Sequence, residues 1–231
     1  MQNIRAITLD LDDTLWEIGP VIQRAEQALY AWYQERYPRI VETFAIADLF
    51  ELRNDVVAEH RDKLHDLTFI RCAVIERLAS EAGYSNFPVD DAFAVFDDAR
   101  NDLELFHDVR PALESLRRRC RLVAVTNGNA DLDKIGIAEL FDDFVSARMA
   151  GAAKPSPKIF SAAIEAGGAS PADTLHVGDD PHVDVHGARG AGMRAVWINR
   201  NGRRWPESLD EPEATIADLF ELDRMLDGAG R

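Results

Sequence analysis

Apolar residues along this chain fall into two kinds of pattern. Short runs without polar alternation, Ile4–Leu11, Leu122–Thr126, Thr174–Val177 and Ala195–Ile198, predict strands buried on both faces, as in a parallel sheet. Asp143–Ala147 is a weaker fifth run. Helical spacing fills the ground around them, with Ala112, Leu113 and Leu116 on one face and Ile159, Phe160, Ala163 and Ile164 on another. Repeated strand–helix units predict an α/β fold, a Rossmann-like doubly wound parallel sheet with helices on both sides.

The interval from Val21 to Leu105 breaks this rhythm, because it carries helical periodicity and no convincing strand. Val21, Ala25, Leu29, Trp32 and Tyr33 make one stripe. A second runs Ile46, Leu49, Phe50, Arg53, Val56, Val57, His60 and Leu64, with Arg53 and His60 as edge positions. Ile70, Ala73, Val74, Leu78 and Ala82 make a third, and Val89 through Leu105 a fourth. Four such helices can pack as a small bundle. The expected organisation is a core formed by residues 1–15 and 107–231, with a helical insert at 16–106 and hinges near Leu15–Pro20 and Glu104–Pro111. A terminal helix is expected around Ile216, Leu219, Phe220 and Met225.

Charge narrows the classes of function. The 231 residues carry 26 Lys and Arg against 41 Asp and Glu, a formal net charge of −15. Such a chain repels polyanions, so neither nucleic acid nor an anionic membrane is an expected partner. A small anionic substrate requires a local reversal of sign. Cys72 and Cys120 stand 48 positions apart and read as buried thiols of a reduced compartment. The opening MQNIRAITLDLDD turns acidic too early for a signal peptide, and no apolar run reaches the ~18–20 residues of a membrane span. The expected location is the cytoplasm.

Ligands of open α/β sheets bind at the carboxyl ends of the strands. The first run ends in Asp10-Leu11-Asp12-Asp13-Thr14, and the second in Thr126-Asn127-Gly128-Asn129. Lys154-Pro155 follows the weak run, and Gly178-Asp179-Asp180 ends the next, with Asp184 five residues beyond Asp179. Like charges ~4 Å apart repel by about 4 kcal/mol at an effective dielectric of 20. Asp10, Asp12, Asp179 and Asp184 therefore need shifted protonation or a cation to share a cleft. Oxygen ligands without His or Cys suit a hard divalent ion, Mg2+ above others. That ion and Lys154 would supply the sign reversal, and Thr126, Asn127 and turn N–H groups would add donors for phosphate oxygens. Phosphoryl transfer is the chemistry such a site serves.

These four motifs, in this order, resemble the haloacid dehalogenase superfamily over nearly the whole chain, and the helical insert is similar to its small cap domain. LDLDDTLW, AVTNGNA and LHVGDDPHVDVHGA resemble the bacterial phosphatases that act on flavin mononucleotide and on the ribitylamino-uracil phosphate of riboflavin synthesis. The resemblance implies Asp10 as a nucleophile that forms an aspartyl-phosphate, and Asp12 as the acid and base. It implies that Asp10, Asp179 and the Asp12 carbonyl bind Mg2+, that Lys154 bridges Asp10 and the phosphate, and that Thr126 and Asn127 bind substrate. Thr14 would hold the turn after the first strand, and Asp184 would orient the metal waters or Lys154 from behind.

Taken singly, each motif has a plain structural explanation: an Asx turn at Asp10–Thr14, a solvated Lys154, a strand-ending turn at Thr126–Asn127, and an exposed first-turn acid at Asp184. Their co-occurrence after predicted strands is what carries the chemistry. His182 and His186, four apart, read as a solvated helix face, and His60, His65 and His107 have no partner pattern. The aromatic and basic stretch Asn201–Trp205 reads as a loop past the last strand, in a position to flank the cleft. Trp16, Glu17, Asp66, Thr68 and Arg71 stand equally between helix packing and substrate contact. The expected substrate is a small phosphorylated metabolite, and the expected assembly a monomer or homodimer. Rival functions are a sugar phosphomutase with the same intermediate, a haloacid dehalogenase, which has no use for Asp12, Asp179 or a cation, and a non-catalytic module that binds a phosphometabolite.

Overall fold

The computed structural model describes residues 3–45 and 48–228. Two compact units result: Met1–Glu17, Glu104–Gly128 and Gly136–Arg231 form one, and Ile18–Leu103 with Asn129–Ile135 the other.

In chain order, the first strand β1 (Ala6–Leu9) precedes the helices α1 (Ile18–Arg36), α2 (Pro38–Thr43), α3 (Asp48–Glu59), α4 (Leu67–Glu81) and α5 (Val89–Asn101). Then come α6 (Val109–Leu116), β2 (Arg121–Thr126), α7 (Leu132–Ile135), β3 (Asp143–Ser146), α8 (Ala147–Ala150) and α9 (Pro157–Gly167). β4 (Thr174–Gly178), α10 (Gly187–Gly190), β5 (Arg194–Ile198), β6 (Ala214–Ile216) and α11 (Leu219–Gly228) complete the chain.

The six strands lie in the order β3-β2-β1-β4-β5-β6, all parallel. This is the doubly wound α/β sheet that the apolar runs predict. The chain leaves β1 toward β2 and β3 on one side and returns to β4 on the other. The order reverses between β1 and β4, where such sheets open a crevice beyond their strand ends. Ile7, Leu9, Leu122, Val123, Ala124, Val125, Leu175 and Val177 are completely buried, which explains why their strands show no polar alternation. On one face Val123, Val125 and Val145 pack with Ile159, Phe160 and Ala163 of α9. That helix starts where Ser156 caps Lys158 N–H ahead of Pro157, and it ends at left-handed Gly168. The apolar face of α6 (Val109, Ala112, Leu113, Leu116) is buried as well, and α11 packs on α6.

Several boundaries differ from the sequence expectation. Leu11 and Ala147 leave their strands, and Ile216 belongs to β6, not to the terminal helix. Ile216 pairs with Ile198, and Asp218 then accepts the Glu221 N–H at 2.8 Å, so the helix begins only after Asp218. The Asn201–Trp205 loop thus precedes the sheet's edge strand.

Among the described residues the helical unit holds five helices before Leu103, where the stripes predict four. Pro38 starts the extra α2, which buries Ile40 but is too short to show a period. Val21, Ala25, Leu29 and Tyr33 line the buried side of α1, as the spacing predicts. Asp66 caps α4 through the Phe69 N–H at 3.0 Å, and Ile70, Val74, Ile75 and Leu78 are buried. Leu52 and Val56 are the buried apolar residues of the α3 region, Leu64 is exposed, and the fourth stripe ends at Asn101. Ile46 of the second stripe and the side chain of Phe50 lie outside the described residues. Trp16 and Glu17 fall with the sheet unit. Asn129–Ile135 falls with the helices because Asn101 accepts the Asp131 N–H at 2.9 Å and Lys134 pairs with Asp97 and Asp98. Cys72 and Cys120 are half-buried, not fully buried. Among the described residues, no helix is long and apolar enough to cross a membrane.

Candidate active site

Asp10 follows β1, and its N–H extends the ladder to the Val177 carbonyl at 2.9 Å. The chain then turns sharply: Thr14 and Leu15 donate to Leu11 O at 3.2 and 2.7 Å, and Asp13 takes a left-handed φ of 59°. That turn returns Thr14 Oγ1 to Asp10 Oδ2 at 3.3 Å. It also brings the Trp16 indole N–H to Asp12 Oδ1 at 2.8 Å. Trp16 is fully buried, so its part is to hold Asp12.

Lys154 enters from the loop after α8. Asn127, at the end of β2, holds it by both amide atoms, accepting the Lys154 N–H at 2.7 Å and donating to its carbonyl at 3.0 Å. Thr126 Oγ1 accepts the Gly128 N–H at 2.8 Å, which folds the turn beside it. Lys154 is only 4% exposed. Its three ammonium protons meet Asp10 Oδ1, Asp184 Oδ1 at 2.7 Å and the Val125 carbonyl at 3.2 Å.

Asp184 sits in the π-helical turn Pro181–His186 after β4 and is 1% exposed. Besides Lys154 it takes the Asp180 N–H on Oδ2 at 3.0 Å and faces His176 Nε2 at 3.3 Å. Gly178 makes this close approach available: a Cβ there would lie 2.3 Å from Asp184 Cγ. Asp179 is half-buried, with its carbonyl held by the Trp197 indole at 2.7 Å and its Oδ2 paired with Arg203 at 2.9 Å.

Burial and charge set the protonation of this group. Burial pushes Asp10 well above the usual carboxylate range; Lys154 opposes the shift, and the charges of Asp184 and Asp12 add to it. Asp184 is held far below that range, because Lys154 and His176 outweigh its burial. The Lys154 ammonium is likewise held above its ordinary value, since Asp10 and Asp184 outweigh burial. Asp10 and Asp184 thus share one ammonium, and the buried group carries one acid more than it has cations. Burial and then Asp184 push Asp179 up to about 6, against the pull of Arg203. Burial pulls His176 down and keeps it neutral.

One carboxylate oxygen from each of Asp10, Asp179 and Asp184 lies within 4.8 Å of the others. The donors are all hard oxygens, and the raised pKa values of Asp10 and Asp179 mark their charge as unfavourable where they stand. Both facts fit a hard divalent cation. Asp184 already serves Lys154, His176 and the Asp180 N–H, so Asp10 and Asp179 are the residues with ligand capacity to spare.

The structure therefore brings Asp10, Thr14, Lys154, Asp179 and Asp184 together, with Asp12 on the turn between Asp10 and Thr14. Asn127 has a positioning task in addition to the expected donor role. His182 and His186 are exposed. Trp16, which stands between packing and substrate contact in the sequence, and Arg203, of the Asn201–Trp205 loop, both reach the site, and so does His176, for which no role is expected. A lone polar residue inside the apolar run Thr174–Val177 is the one sequence signal that marks His176.

Fold and site together define an enzyme of the doubly wound α/β class, with a carboxylate–lysine centre at the switch point of its sheet. A family model described as haloacid dehalogenase-like hydrolase matches residues 4–192. The chain belongs to the haloacid dehalogenase-like hydrolase family. It is 34% identical over 231 residues to the 5-amino-6-(5-phospho-D-ribitylamino)uracil phosphatase YigB of Escherichia coli K12, covering 96% of each chain. It is 26% identical to mouse N-acylneuraminate-9-phosphatase, over 98% of this chain and 95% of the relative. Among solved structures, a 2-haloacid dehalogenase from Pseudomonas syringae pv. Tomato DC3000 superposes with a TM-score of 0.91 at 35% identity, covering 97% of this chain and 99% of the other.

Proposed function

We propose that this hydrolase is a Mg2+-dependent phosphatase of small phosphorylated metabolites, acting through an aspartyl-phosphate on Asp10. The observation that carries the proposal is the crowding of Asp10, Asp179 and Asp184 upon one another, with the buried Lys154 ammonium against Asp10 and Asp184. A haloacid dehalogenase needs one carboxylate nucleophile and no cation, so it leaves this excess of acid unexplained.

Asp10 Oδ2 or Oδ1 attacks phosphorus, and the ester oxygen leaves as the P–O bond to the alcohol breaks. Asp12, held by the Trp16 indole, protonates that leaving alkoxide and then takes a proton from the water that hydrolyses the aspartyl-phosphate. Lys154, locked by Asn127 and Asp184, neutralises charge on Asp10 and on the phosphoryl oxygens. Thr14 orients Asp10, and Thr126 and Asn127 border the phosphate. Asp10, Asp179 and the Asp12 carbonyl would hold Mg2+, which supplies charge neutralisation at the transferring phosphoryl group.

The favoured substrates are flavin mononucleotide, on the motif resemblance alone, and 5-amino-6-(5-phospho-ribitylamino)uracil, for which the 34% identity to the E. coli phosphatase adds support. In this scheme the core of residues 1–15 and 107–231 carries the chemistry, and the insert at 16–106 selects the substrate. The proposed setting is the cytoplasm, without nucleic acid or membrane partners.

The deciding experiment is a screen of flavin, sugar, nucleotide and acyl-sugar phosphates with Mg2+, ranked by kcat/KM, with chloride release from 2-chloropropionate measured in parallel. Phosphate release that EDTA abolishes and Mg2+ restores supports the proposal. Halide release without phosphatase activity refutes it, and conversion of a hexose 1-phosphate to its 6-phosphate without net phosphate release identifies a mutase.

A further inference from the structure

His176 is the completely buried polar residue at the middle of β4, and its Cα partner in the neighbouring strand is Thr8 of β1. Thr8 Oγ1 lies 2.7 Å from His176 Nδ1, and the edge of the ring packs against Phe160 at 5.3 Å between centroids. The other nitrogen, Nε2, faces Asp184 Oδ1 at 3.3 Å. That same oxygen accepts the Lys154 ammonium. A continuous buried chain thus runs Thr8, His176, Asp184, Lys154, Asp10.

The proton positions follow from this network. With hydrogen on Nδ1, the Nε2 lone pair would confront an ionised carboxylate oxygen. An imidazolium would add a second buried cation beside the Lys154 ammonium. With hydrogen on Nε2, every contact is satisfied: the Thr8 hydroxyl, free to rotate, donates to Nδ1, and Nε2–H donates to Asp184 Oδ1. Asp184 is then gripped from three directions, by His176, by Lys154 and by the Asp180 N–H.

We propose that His176 is a positioning residue, whose Nε2–H holds Asp184 Oδ1 in place and thereby sets the Lys154 ammonium against Asp10. This rests on the phosphatase chemistry proposed above for Asp10 and Lys154. Without the donor, one side of Oδ1 is open. The Asp184 carboxylate turns about its Cβ–Cγ bond, and the Lys154 ammonium follows it away from Asp10. Partners that orient a site from outside the reacting groups cost about 10–100-fold when lost.

Two substitutions separate the proposal from a packing role. His176→Gln places an amide N–H near the position of Nε2 and keeps the bond to Asp184. His176→Asn reaches Thr8 but falls short of Asp184. With p-nitrophenyl phosphate and Mg2+, kcat of the Asn variant is expected to fall about tenfold or more with KM changed by less than about threefold. The Gln variant recovers to within about threefold of the parent, although both variants lose comparable thermal stability. Long-range 1H–15N correlation of the histidine ring in the parent protein is expected to report hydrogen on Nε2.

Equal kcat losses in the two variants, or full activity of the Asn variant, would overturn the positioning role in an active enzyme. A ring protonated on Nδ1 overturns it whatever the kinetics. A parent protein that releases phosphate from no ester refutes the phosphatase itself, which the variants alone cannot do.

Discussion

Replacing Lys154 by Met tests the balance of charge at the centre of the site. The substitution keeps most of the apolar stem and removes the ammonium from Asp10, Asp184 and the Val125 carbonyl. At the 2.7 Å separation from Asp184, one unit pair attracts by about 6 kcal/mol at an effective dielectric of 20. Much of that offsets the cost of burying the charges, and removing one member of a buried pair typically destabilises by ~3–5 kcal/mol. For a chain of this size that corresponds to a fall of ~6–20 °C in Tm. The sign of the pH dependence is specific. In the parent, the depressed pKa of Asp184 contributes stability above the ordinary carboxylate range, and it is lost as pH falls through the low folded value. In the variant, Asp184 joins Asp10 as a carboxylate with a raised pKa, and the stability lost to their ionisation returns as acid protonates them. The deficit is therefore largest near pH 8 and shrinks toward pH 5. Urea denaturation of metal-free protein at both pH values measures it. A deficit that is equal at the two pH values, or below about 1 kcal/mol at pH 8, refutes the charge balance described here.

Four further outcomes are expected. Asp10→Asn abolishes turnover but leaves the metal-free protein at least as stable as the parent, because the raised pKa of Asp10 marks its charge as unfavourable; a Tm loss above about 5 °C contradicts this. Gly178→Ala forces a methyl to within 2.3 Å of Asp184, so about 1–3 kcal/mol of stability and most activity should be lost together, and an unperturbed Tm would mean that the strand end relaxes freely. Asp179 must ionise to bind a cation, so calorimetric Mg2+ affinity should weaken as pH falls through about 6, and a flat profile between pH 5 and pH 8 would remove Asp179 from the ligand set. Asp108 is buried, pairs through both oxygens with Arg200 at 3.0 and 2.8 Å and accepts the Leu219 N–H at 2.7 Å; Asp108→Ala should cost ~3–5 kcal/mol in urea melts at pH 7. In the parent these bonds depress the Asp108 pKa despite burial, so this contribution should fade in acid.

The strands were legible because burial on both faces leaves a direct mark: Leu122 to Val125 has no polar residue to spare. β6 was not legible, since a three-residue edge strand carries no period and its Ile216 continues the apolar spacing of α11. α2 escaped notice for the same reason of length. In the site, Asp10, Asp12, Lys154, Asp179 and Asp184 could be picked out because four strand ends presented acids and one lysine with little else. The tasks of Trp16, His176 and Arg203 could not, because each depends on a partner brought close only by folding. Trp16 looked like a residue of the helical insert until the turn after β1 carried its indole back to Asp12. His176 looked like an ordinary member of a buried strand until register set it beside Thr8 and the following π-helical turn set Asp184 beneath it.

The order of residues alone carries the parallel α/β class, the helical run after the first strand and the set of mutually repelling acids. These are consequences of local pattern and of charge, which hold wherever the residues lie. Folding alone sets which acids share the Lys154 ammonium, because that depends on ångström separations between residues up to 174 positions apart. Asp10 and Asp184 both pair with the one Lys154 ammonium, so this buried group holds one more acid than cation. Coulomb energy falls with distance and rises with burial, and neither quantity is written in the order of residues.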